Sequence, residues 1–274
     1  SRRQRQMCIR DRLDTMRQEL ETITAENEGL TAQVEALRTE TAEQKALPEA
    51  IQKQKDEGFR LLGELERQIR AGESDKRIAY LTFDDGPYDN TTDAILDILK
   101  EKGVHATFFL RHRPDHVAQI QREIREGHTL ANHSYSHKIK AVYQSTDSCI
   151  KEIRDQQKWL TETVGVTPEI YRFPGGSPTA GNKKQAIAAA LAADGLGYVD
   201  WNCYTGDGLP GVLTTEKAYQ NAVSSVGEQK IVVMLMHDYS AATLEALPDI
   251  IDTLKAKGYM MMPLFRESVM IRSA

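Results

Sequence analysis

Five short stretches carry ionisable groups that could do chemistry together. Asp84 and Asp85 stand side by side in TFDDGP, and His133 and His137 lie four apart in NHSYSH. Arg172 opens RFPGG, which also holds Pro174 and Gly175. Asp200 and Trp201 end YVDW, and His237 and Asp238 end LMHD. Two imidazoles and one carboxylate suit Zn²⁺ or a similar divalent ion and leave coordination positions open for water. On a helix, the spacing of His133 and His137 would put both rings on one face. Adjacent carboxylates repel and resist desolvation. A cation accounts for the Asp84–Asp85 pair if one aspartate is its ligand and the other works beside it. Metal binding can bring the pKa of water down to about 7. A carboxylate could then take the proton as that water attacks a carbonyl, while an imidazole on the far side protonates a leaving nitrogen. His237 suits the last role. Asp238 is a poor partner for its ring, because strand neighbours face opposite ways. Asp200, from another strand end, is the better orienter. Arg172 would hold the free aspartate ionised through a charge-assisted pair.

These groups need elements that bring them to one rim. From Lys76 onward, strand and helix patterns alternate. Strands are expected at 78–83, 106–110, 128–131, 169–173, 198–201, 231–236 and 259–262. Helices are expected at 91–102, 115–126, 144–164, 183–193, 214–226 and 243–257. Such alternation over about 190 residues indicates an α/β fold with a parallel barrel or doubly wound sheet. Ile231–Met236 is a continuous apolar run of the kind buried on both faces. In such folds, active sites gather at the carboxyl ends of the strands, and all five stretches follow expected strands. Thr205, Asp207 and Tyr239 lie near these motifs and could line a groove.

The remainder of the 274 residues reads differently. Leu13, Met16, Leu20, Ile23, Asn27, Leu30, Val34 and Leu37 form an alternating three-and-four seam, that of a coiled coil. Asn27 falls at an a position, where a polar residue fixes register and favours a homodimer. A single amphipathic helix packed on the globular domain is the alternative. A straight helix to Leu47 would reach about 50 Å, a length suited to a spacer. Pro48 breaks the seam. A second helical stretch at 49–70 aligns Phe59, Leu62, Leu65 and Ile69, and a polar linker follows at 71–75. The expected organisation is therefore a helical stalk at 13–70 and a catalytic domain at 76–270. Residues 1–12 carry five arginines against one aspartate. Back-translated, they resemble a DNA-library adapter and are set aside as non-native. A signal or membrane anchor is then expected upstream of this start. The net charge of −5 gives no nucleic-acid footprint. No apolar run reaches the roughly 18 residues of a membrane span. Cys8, Cys149 and Cys203 lack metal-knuckle spacing; free thiols are expected, with a Cys149–Cys203 bridge left open.

In their order, TFDDGP, HSYSH, RFPGG, the Asp-Trp of YVDW and LMHD resemble the five motifs of the polysaccharide deacetylase family, carbohydrate esterase family 4. The resemblance covers about residues 76–265 and not the coiled coil. It implies a distorted (β/α)7 barrel that removes N-acetyl groups from amino sugars with a divalent metal, zinc foremost and cobalt or manganese as alternatives. It implies that Asp84 is the base and that Asp85, His133 and His137 are the metal ligands. Arg172 would position the base, and Asp200 would partner the acid His237. Trp201 and Leu235 would wall the acetyl group, and a backbone N–H near Gly175 would face the oxyanion. Members often carry an aromatic residue where Gly175 stands here, which alters the substrate's surroundings. The expected substrate is bacterial peptidoglycan outside the cytoplasm, because a spacer lets a tethered enzyme reach the wall. Chitin oligomers, a biofilm glucosamine polymer and acetyl-xylan are alternatives. A non-haem iron oxygenase would share two histidines and a carboxylate but not the second aspartate or the opposed His-Asp pair. An inactive wall-binding module would not need the complete set.

Overall fold

The computed structural model describes residues 57–268 and 271–273, together with Gly29. The coiled-coil seam, the basic flank and Cys8 lie outside the described residues. Residues 59–274 form one compact unit. Its first helix, α1, covers residues 57–70. The strands are β1 (Arg77–Asp84), β2 (Thr107–Leu110), β3 (Thr129–Asn132), β4 (Ile170–Tyr171), β5 (Gly197–Tyr198), β6 (Cys203–Tyr204), β7 (Ile231–His237) and β8 (Tyr259–Met261). The helices are α2 (Thr92–Lys102), α3 (Val117–Arg125), α4 (Ile139–Val142), α5 (Thr146–Val164), α6 (Lys184–Ala193), α7 (Thr215–Val226) and α8 (Ala241–Ala256).

Every strand pairing is parallel, in the order β5-β4-β3-β2-β1-β7-β6, with β8 beside the start of β1. The path is open, so the sheet is a curled, incompletely closed barrel. This is the distorted (β/α)7 architecture the motifs imply, with one strand added: the sequence pattern did not resolve the two-residue β6.

Two-residue alternation sorts the side chains. Ala79, Leu81 and Phe83 of β1 and Val232, Met234 and Met236 of β7 pack outward among Ile95, Leu99, Leu247 and Ile251 of the helices. Ile78 and Tyr80, with Ile231 and Val233, face the interior among Phe109, Ala131, Ile170 and Val199. Leu62 and Ile69 of α1 join this interior cluster with Leu264 and Phe265, and Phe59 stacks on Phe265 at 5.0 Å. Glu66 of α1 is buried and accepts a hydrogen bond from Tyr80 Oη. The stalk expected at 13–70 is corrected here: residues 59–70 belong to the catalytic unit. Their apolar face packs against the interior strand residues. Cys149 and Cys203 are both buried and free.

Candidate active site

The same alternation delivers the polar groups. On β1 the inward series Ile78, Tyr80 and Thr82 ends in Asp84, and on β7 the series Val233 and Leu235 ends in His237. Asp84 and His237 are register partners on adjacent strands, so their backbones lie about 5 Å apart. Ala131 leads to His133, Ile170 to Arg172 and Val199 to Trp201 in the same way. A carboxylate, two imidazoles and a guanidinium therefore arrive at one end of the barrel.

Asp85 breaks the alternation. Its φ of 79° lies in the left-handed region that L residues rarely occupy. This turn brings a second carboxylate to the same end. The histidine pair also converges by strain and not by helix. Residues 133–138 are irregular, with φ of 71° at Ser134 and 56° at His137, so the one-face helix expected for His133 and His137 is corrected. Asn132 Oδ1 accepts from Ser134 N–H, and Glu152 accepts from both Ser136 N–H and Ser136 Oγ. These bonds hold the loop in its unusual conformation.

Asp85, His133 and His137 bring one ligand atom each to within 4.8 Å of one another. The two Nε2 atoms are 3.1 Å apart, and Asp85 Oδ1 is 3.5 Å from His137 Nε2 and 3.9 Å from His133 Nε2. Nitrogens bound tetrahedrally to zinc would sit about 3.3 Å apart. Asp85 Oδ1 is buried without a hydrogen-bond partner, as a waiting ligand atom would be. His133 Nδ1 donates to the Arg172 carbonyl at 2.9 Å, which leaves the Nε2 lone pair for a metal. Burial and the neighbouring His133 hold His137 down at about 4, so that ring also keeps a free lone pair at neutral pH. Burial would raise the Asp85 carboxyl, but the charges of His133, His137 and Arg111 more than offset it and leave it lowered. The donor set fits a divalent ion.

Around it lie two supported groups. Arg172, fully buried, donates from Nη1 to Asp84 Oδ1 at 2.8 Å and to Thr82 Oγ1 at 2.7 Å. Asp84 Oδ2 faces His133 Nε2 at 3.6 Å. On the other side, His237 Nδ1 donates to Asp207 Oδ1 at 2.8 Å, and His237 N–H donates to Asp207 Oδ2 at 2.8 Å. Thr243 Oγ1 also donates to Asp207. Burial alone would lower the His237 pKa; the Asp207 hydrogen bond and charge, with Asp84 and Asp85 nearby, raise it above its usual value.

Asp207 replaces Asp200 as the partner of His237, which corrects the sequence expectation. Two physical reasons explain it. Asp200 precedes the inward Trp201 and so points outward. There its carboxylate accepts from Ser177 N–H, Ser177 Oγ and Ser273 N–H. Its backbone carbonyl accepts from Arg172 Nη2 at 3.1 Å. The neighbour of β7 in the sheet is β6, and Asp207 follows β6. The small-residue run Gly206-Asp207-Gly208 was the available signal: a Cβ on Gly208 would lie 2.7 Å from His237 Cε1.

A cavity of about 500 Å³ collects Asp84, Asp85, His133, His137, Asp207 and His237. Gly175, Trp201 and Leu235 line it, as do Ile139, Tyr204, Leu209 and Tyr239. Pro174 does not; it is buried behind, its carbonyl accepting from Tyr143 Oη. Thr205 is likewise buried, its hydroxyl lying 3.3 Å from Thr243 Oγ1.

A metal site with a free carboxylate on one side and an imidazole on the other, all in one cavity, is the arrangement of a metal-dependent hydrolase. The sequence model described as Polysaccharide deacetylase matches residues 71–196. A peptidoglycan-N-acetylglucosamine deacetylase of Bacillus cereus is 30% identical over 203 residues, which is 71% of this chain and 71% of that protein. A chitin deacetylase of Pestalotiopsis is 33% identical over 191 residues, covering 65% of this chain and 59% of its own length. The crystal structure of the catalytic domain of a peptidoglycan N-acetylglucosamine deacetylase from Eubacterium rectale superposes with a TM-score of 0.69 at 35% identity. It covers 72% of this chain and 93% of that one. The chain belongs to the polysaccharide deacetylase family, whose members are metal-dependent hydrolytic deacetylases.

Proposed function

We propose that this protein removes acetyl groups from N-acetylglucosamine residues of bacterial peptidoglycan, outside the cytoplasm. The carrying observation is the Asp85–His133–His137 donor set lying in one cavity with an Arg172-held Asp84 and an Asp207-held His237. Those three ligands would hold a divalent ion, zinc by the chemistry of two imidazoles and one carboxylate. Such an ion supplies Lewis-acid polarisation of a carbonyl and a water of lowered pKa.

The chain's own residues do the rest. Asp84, fixed by Arg172, accepts a proton as water oxygen bonds to the acetyl carbon. The Gly175 backbone N–H, at the cavity wall, faces the oxygen that gains charge. Trp201 and Leu235 give the acetyl methyl an apolar surface. His237, its Nδ1–H held by Asp207, presents Nε2 to the leaving nitrogen and gives it a proton as the C–N bond breaks. Acetate and a free amino sugar result. The similarity to bacterial peptidoglycan deacetylases supports this glycan over chitin.

The test is acetate release from peptidoglycan and from chitin oligomers, with chelator and after zinc is restored. Release from peptidoglycan that stops with chelator and returns with zinc is expected. Release from chitin oligomers alone would reassign the glycan. No release from either by zinc-loaded protein would end the hydrolase reading.

A further inference from the structure

Asp238 takes no part in the chemistry above, yet its carboxylate is completely buried beside the site. It follows His237 and so points away from the cavity. There it meets the turn that leaves β1. A Cβ built on Gly86 would lie 1.9 Å from Asp238 Oδ2 and 2.6 Å from Cγ, so only a glycine lets the turn and the carboxylate touch. Asp238 Oδ2 accepts from Thr92 Oγ1 at 2.7 Å. Thr92 Oγ1 in turn accepts from Tyr88 N–H at 2.7 Å. Asp238 N–H also approaches the Asp84 carbonyl at 3.4 Å. These contacts run from the end of β7 through the start of α2 and back into the turn. They touch the chain at Asp84 and at Gly86 and so flank Asp85 on both sides. Burying a carboxylate costs free energy that an apolar residue would not, so the contact must return something.

We propose that Asp238 is a positioning residue whose carboxylate, seated on Gly86 and bonded to Thr92, fixes the Asp84–Tyr88 turn and with it the metal-ligand geometry of Asp85. This rests on the assignment of Asp84 as base and Asp85 as ligand. Asp85 sits at a φ of 79°, and a strained ligand keeps its place only where its surroundings over-determine it. Partners that orient a ligand from behind are typically worth about 10–100-fold in metal affinity or activity.

The experiment measures zinc affinity by competition with a chromophoric chelator, together with kcat and KM for acetate release. Asp238→Ala is expected to weaken zinc binding about 10–100-fold and to lower kcat more than it changes KM. Asp238→Asn keeps an oxygen for Thr92 and should restore most of the affinity. Thr92→Val removes only the hydroxyl and should reproduce the Asp238→Ala loss; it also serves if Asp238→Ala does not fold. The two together should lose no more than either alone, because they break one chain of bonds. Gly86→Ala collides with Asp238, and adding Asp238→Ala removes the collision. The pair should then still show the Asp238→Ala defect, since the bond to Thr92 is gone. The proposal is overturned if folded Asp238→Ala binds zinc like the wild type, or if Gly86→Ala/Asp238→Ala recovers wild-type affinity. Zinc affinity is read without turnover, so failure of the deacetylase reading would leave wild-type acetate release absent while this result stands or falls separately.

Discussion

His237 and Asp84 take opposite parts in proton transfer, and each is held by a neighbour. Asp207 holds the imidazole from behind and helps raise its pKa. The protonated form, which gives the proton, therefore persists to higher pH, and activity should fall as pH rises through that raised value. Asp207→Asn removes the charge and keeps the shape. The basic limb of the kcat/KM profile should move to lower pH; a limb that stays in place would mean another group sets it. Asp84→Asn tests the other side. It should keep zinc and lose about 10²–10⁴ in kcat, the usual worth of a positioned base. Loss of zinc instead would exchange the roles of Asp84 and Asp85. At this scale much was legible, because Asp84, Asp85, His133, His137, Arg172 and His237 carry chemistry in their residue types. The partner of His237 was not. Choosing between Asp200 and Asp207 needs to know which strand lies beside β7 and which way Asp200 points.

The elements explain that gap. Long apolar runs such as Ile231–His237 announce themselves, and helices such as Thr146–Val164 begin and end near where capping residues and glycines suggest. A two-residue strand such as Cys203–Tyr204 is too short for any periodicity to appear. The His133–His137 loop owes its shape to side-chain bonds from Asn132 and Glu152, which spacing alone cannot show. Helix α1 is a third case. Its apolar face was readable, but a stalk and a barrel plug need the same face. The packed form predicts a sharp difference between two truncations. Removing residues 1–56 leaves Leu62, Ile69 and the Phe59–Phe265 stack in place. Removing residues 1–70 strips them out and leaves Tyr80 without Glu66. Each large apolar side chain lost from burial costs about 1.5–3 kcal/mol. Thermal melts should therefore place the 1–70 deletion well below the 1–56 deletion. Equal melting temperatures would return α1 to the stalk.

At the scale of the whole described unit, a further carboxyl is buried away from the site, on a helix outside the barrel. Glu123 of α3 is fully buried, and neither of its oxygens has a hydrogen-bond partner. Burial first, and then the charges of Asp238 and Asp93, push its carboxyl well above the usual range. The folded protein thus keeps a proton that the unfolded chain releases near pH 4.3. A raised folded-state pKa gives stability that is complete below the unfolded value and is lost as pH rises through the folded one. Between the two values the loss follows the slope for one proton, about 1.4 kcal/mol per pH unit. Glu123→Gln keeps the shape and cannot ionise. Urea unfolding at pH 5, 6.5 and 8 should show the variant gaining on the wild type at each step. A stability difference that stays flat across this range would mean that Glu123 is ionised in the folded barrel, with a cation or water satisfying it.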